Sequence, residues 1–114
     1  MNLSLFEELK PTIRDKWLDY YEANKSIINK LMDMGYKARY SNHKCPTSEF
    51  IVGTVSALEP KLEEYLFCFF LVCDDLGKIV TTLELDFDPE VELKKREEET
   101  KNQQTELITT PQQE

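Results

Sequence analysis

The sequence predicts an all-α domain, a single small bundle of four or five helices with a disordered C-terminal tail. Three observations point there. Apolar residues recur every three or four positions through the first third of the chain, Ser, Thr, Asp, Gly and Pro stand where helix ends need them, and strand-like alternation is confined to residues 66–87. A chain of 114 residues with 40% hydrophobic side chains has material for one core and too little for two. The expected organisation is a helical domain over residues 1–99 and a tail over 100–114.

The first element opens with Ser4-Leu5-Phe6-Glu7, the pattern of a capping box. Leu5, Leu9, Ile13, Trp17, Tyr20/Tyr21, Asn24, Ile27/Ile28, Leu31 and Met34 then form an amphipathic stripe interleaved with charge. Its phase continues across Pro11, which predicts one helix over residues 4–35, kinked near Lys10. Gly35 is suited to end it. Residues 36–46 have no period and read as a loop.

Thr47 or Ser48 should cap a second helix through Leu58, with Ile51, Val55 and Leu58 facing inward. Pro60 forces a kink or a fresh start, after which Leu62, Leu66, Phe69 and Cys73 keep the phase. Phe67, Phe70, Leu71 and Val72 fill its other faces, so this element is expected to be the most buried. Residues 66–87 are consistent either with a hairpin, which would make the fold α+β, or with a short helix capped by Asp75 that turns Leu76, Ile79, Val80 and Leu83 inward. Asp88-Pro89-Glu90 is a strong helix start, with an Asp N-cap, Pro at the first position and acid in the first turn. Beyond Glu99 the chain turns polar and rich in Gln and Thr, a composition that predicts disorder.

Several of these residues resemble a known family. Lys16-Trp17-Leu18, Tyr20-Tyr21-Glu22 and Asn24, then Pro46, Ser48 and Phe50-Ile51, then Ser56 and Leu58-Glu59-Pro60, are similar in order and spacing to small uncharacterised cyanobacterial proteins of a domain-of-unknown-function family. Lys78-Ile79-Val80, Leu83 and Phe87-Asp88-Pro89-Glu90 extend the resemblance, which spans about residues 10–95. It implies a helix where the hairpin is the alternative, and it implies no activity.

The formal net charge is −8, and the acid is concentrated after Glu59. Such a chain is repelled as a whole by nucleic acid and by anionic lipid. The longest apolar run, Tyr65–Cys73, is about half of what a membrane-spanning helix needs. Glu7 and Glu8 fall where the apolar core of a signal peptide would run. Three cysteines, Cys45, Cys68 and Cys73, suit reduced thiols better than a disulfide frame. The expectation is a cytoplasmic, soluble protein that does not engage a membrane.

Catalytic and cofactor motifs are weak. Asp86, Asp88, Glu90 and Glu97 have the spacing of a calcium loop, but Val91 stands where the sharp turn needs Gly, and a helix N-terminus explains the same acids. His43 and Cys45 lack further ligands at usable spacing, and Cys68 and Cys73 point roughly 140° apart on a helix. Residues 78–96 have the outline of a helix-turn-helix, whose recognition helix would present acid to phosphates. No catalytic residue, metal or cofactor is expected. The stretch that stands out is the loop Tyr36–Lys44, which carries Lys37, Arg39 and Lys44 with Tyr36 and Tyr40 and no carboxylate. Tyr36, Lys37, Arg39, Tyr40 and Lys44 therefore form the candidate surface for a protein partner with an acidic patch, as in a non-catalytic adaptor or regulatory protein. A nucleic-acid-associated regulator using the same loop is the alternative. The bland reading is a solvated connection.

Overall fold

The computed structural model describes residues 3–39 and 41–109, with side chains described for 4–39 and 41–103. Six α-helices follow one another: α1 (Leu3–Ala23), α2 (Lys25–Asp33), α3 (Ser48–Leu58), α4 (Glu63–Val72), α5 (Leu76–Thr82) and α6 (Pro89–Thr109), with a 3-10 turn at Pro60–Leu62 before α4. No strand occurs among the described residues, so the all-α reading holds and the hairpin at 66–87 is replaced by α4, α5 and the link between them.

Local chemistry sets most helix ends. The Thr47 hydroxyl accepts from the Phe50 N–H at 3.3 Å, and the Asp75 carboxylate accepts from Gly77 and Lys78. Asp88 accepts from the Glu90 N–H at 2.9 Å ahead of Pro89. Gly35, at φ +104°, turns the chain out of α2: its own N–H bonds the Met32 carbonyl and the Tyr36 N–H bonds that of Leu31. This paired arrangement satisfies two terminal carbonyls, and the left-handed backbone it needs favours Gly. Helix α1 already includes Leu3, so Ser4 stands inside its first turn and not ahead of it.

The expected single helix over 4–35 is divided, and not at Pro11. Helix α1 runs through Pro11, since Phe6 on one side and Ile13 and Trp17 on the other are buried in the same core. That shared burial outweighs the backbone bond that Pro cannot make. The break falls at Asn24, whose side-chain amide donates to the Tyr20 carbonyl at 3.0 Å beside its own backbone N–H. Beyond it α2 buries Ile28 and Met32 and leaves Ile27 and Met34 exposed. The stripe at the start of α1 is likewise shifted, with Phe6 inside and Leu5 out.

Helix α3 packs on α1 and α5, and α1 packs on α2 and α6. The larger core cluster gathers Phe6, Ile13 and Trp17 with Ile51, Val52 and Val55 of α3, Tyr65 and Leu66 of α4, and Ile79 and Val80 of α5. A second cluster joins Leu18, Tyr21, Ile28 and Met32 to Leu93 of α6; Tyr20, Phe50 and Phe87 pack against both. Arg14–Glu92 and Arg96–Asp19 ion pairs hold α6 along α1. Past Arg96 the described side chains of α6 are exposed, and the backbone of the expected tail is helical from 100 to 109; residues 110–114 lie outside the described residues.

Candidate functional site

The loop after Gly35 is held by specific bonds. Lys37 and Pro46 form an isolated antiparallel bridge, and the Ala38 N–H donates to the Cys45 carbonyl at 2.9 Å, so the two ends of the loop lie side by side. Between them Ser41 is a hub. Its hydroxyl donates to the Asp86 carboxylate at 2.5 Å and accepts from the His43 N–H at 3.0 Å and the Cys45 thiol at 3.8 Å. Asp86 follows α5, so the hub ties the loop to the segment between α5 and α6.

On this frame Tyr36, Lys37, Arg39 and Lys44 are all exposed, and among the described residues none of the three cations enters an ion pair. Tyr40, the fifth residue of the predicted surface, lies outside the described residues. Tyr36 also lines a small apolar hollow of about 160 Å³ with Ile28, Leu31, Pro46 and Phe50. On its other side opens a broad cleft of about 1490 Å³ between the loop and the starts of α3 and α5. Its lining carries both signs of charge: Lys37 and Arg39 from the loop, Glu49 from α3, and Asp74 and Asp75 from the link before α5 and its cap. The pattern does not reveal this juxtaposition, because Lys37, Glu49 and Asp74 lie far apart in the chain.

The thiol in the loop is ill suited to nucleophilic work. Cys45 is buried, and burial pushes its pKa up; the bond to Ser41 pulls the other way, and the Asp86 and Asp88 charges push further up. Its neighbour in the sequence motif, His43, is exposed. Among the described residues no three His, Cys, Asp or Glu side chains converge on a metal position. The carboxylates with calcium-like spacing are engaged elsewhere: Asp86 with Ser41, Asp88 at the α6 cap, and Glu90 with the Tyr21 hydroxyl and Lys25. The outlined helix-turn-helix is also occupied, since α6 buries Leu93 against α1 and α2. All three cysteines are free thiols.

The largest correction concerns α4. Expected to be the most buried element, it buries only Tyr65 and Leu66 fully and leaves Phe67 60%, Phe70 47%, Leu71 86% and Val72 85% exposed. Their signal in the sequence was a helix apolar on every side, which normally marks the centre of a core. The missing information was that α4 sits at the margin of the bundle, where one face suffices to join it.

No described helix is long and apolar enough to cross a membrane. No curated protein and no solved structure matches the chain. A family model does match, over residues 3–114, and the chain belongs to that family, DUF5331, a family of unknown function.

Proposed function

We propose that this protein is a non-catalytic binding domain that meets an acidic surface of a protein partner through Tyr36, Lys37, Arg39, Tyr40 and Lys44. The observation carrying this reading is the combination of cations outside any described ion pair with a loop pinned by Ser41. A mobile loop would lose conformational entropy on binding, and a held one loses less. Tyr36 adds rigid aromatic area beside an apolar hollow. An adaptor or regulatory role follows from binding without catalysis, and three free thiols favour the cytoplasm as its place.

The test compares the protein with Lys37→Glu/Arg39→Glu in affinity purification, followed by binding titrations on whatever co-purifies. The variant should lose the partner while keeping the thermal midpoint, and association should slow as salt rises. Equal recovery by both proteins would refute the reading. Retention of DNA or RNA at physiological salt, lost in the variant, would favour a nucleic-acid regulator instead.

A further inference from the structure

We infer that the outer face of α4 is a second docking surface, and that its occupant is an amphipathic helix of a partner protein carrying basic residues at both ends. This goes beyond the basic loop, which has the opposite charge. Phe67, Phe70 and Leu71 recur at helical spacing on one exposed face, with Val72 beside them. Contiguous large apolar side chains with most of their surface in water mark an interaction site on a folded domain.

Charge complementarity selects the occupant. Exposed Glu63 and Glu64 stand at the start of α4, and exposed Asp74 and Asp75 follow its end. A helix of ten residues is about 15 Å long, so the patch is an apolar centre between two acidic ends about that far apart. A helix presenting apolar residues at i, i+3, i+4 and i+7, with Lys or Arg about three turns apart, meets both features. A second copy of this chain pairing through the same face does not. Antiparallel pairing of two α4 helices sets Glu63 and Glu64 against Asp74 and Asp75, and parallel pairing sets each acidic end against itself. Residues 110–114 of the chain contain no basic side chain to complement the ends. Anionic lipid is repelled by the same carboxylates.

The experiment uses the full chain and a synthetic amphipathic helical peptide of about 12 residues with Leu at the stated spacing and Lys at both ends, about three turns apart. A control peptide ends in Glu. Fluorescence anisotropy should show the Lys-ended peptide binding at least about tenfold more tightly than the control. Leu71→Ser/Val72→Ser should abolish the difference without moving the thermal midpoint, because both side chains are solvated. Glu63→Lys/Asp74→Lys should transfer the preference to the Glu-ended peptide.

Equal affinity for the two peptides, or a charge swap that moves nothing, overturns the proposal. A concentration-dependent dimer dispersed by Leu71→Ser would assign the face to a second copy. Binding to phosphatidylcholine vesicles, lost in the same variant, would assign it to lipid. Lys37→Glu/Arg39→Glu should not weaken peptide binding; weakened binding would place the peptide on the basic loop, and the α4 proposal fails. Failure of the loop reading, by contrast, leaves the peptide result intact.

Discussion

Replacing Lys16 by Met tests how a half-exposed cation supports a buried carboxylate. The Lys16 Nζ donates to the Glu59 carboxylate at 2.5 Å and to the Leu58 carbonyl, at the end of α3, at 3.2 Å. The Glu59 side chain is 7% exposed and that of Lys16 42%. A hydrogen bond to a charged group contributes about 1.5–3 kcal/mol, and a cation at a helix C-terminus about 0.3–1 kcal/mol. Because the ammonium is nearly half in water, the lower part of that sum applies, giving a loss of about 2 kcal/mol near pH 7. Met keeps the aliphatic stem, so the loss reports on the charge.

The pH dependence gives a second check. The Lys16 hydrogen bond holds the Glu59 carboxyl below its ordinary range, against the upward push of burial, with the Lys16 and Lys61 charges assisting. A carboxyl with a depressed folded pKa stabilises the fold above its unfolded value, roughly 4.3, and loses that contribution as pH falls through the folded value. In Lys16→Met the bond is gone and burial remains, so the folded carboxyl takes up a proton more readily. The gap between the two proteins should therefore narrow as pH falls through the folded value of the Glu59 carboxyl. Urea denaturation followed by the emission of Trp17, the sole and fully buried tryptophan, should place the variant midpoint about 1 M lower near pH 7. A loss under about 0.5 kcal/mol near pH 7, or a gap undiminished in acid, would refute the reasoning.

Asp88→Ala removes the α6 cap and should cost about 1 kcal/mol in the same titration. Gly35→Ala places a Cβ on left-handed backbone and should cost about 1 kcal/mol, although nothing crowds the site, so the loss isolates backbone strain. Tyr21→Phe strips the hydroxyl that donates to Glu90 and accepts from Asn29, and should cost about 1 kcal/mol while leaving the helical circular dichroism unchanged. Millimolar calcium should leave the thermal midpoint where it is, since Asp86, Asp88 and Glu90 already have partners and a specific site would raise it by mass action.

What the sequence alone determined was written in short-range chemistry. Thr47, Asp75 and Asp88 cap the helices they were expected to cap, and Gly35 ends α2, because each device needs only the three or four residues beside it. The exposed basic residues of 36–44 were legible as charge without acid. Tertiary structure decided the rest. Pro11 stays within a helix because Phe6, Ile13 and Trp17 share one core, while the division falls at Asn24, which the pattern places inside the stripe. Only folding brings Glu49, Asp74 and Asp75 into one cleft with Lys37 and Arg39. The apolar run Tyr65–Cys73 says that α4 prefers to leave water on every side. How many of its faces this chain can cover depends on the helices left over to pack against it, and that number is a property of the whole bundle.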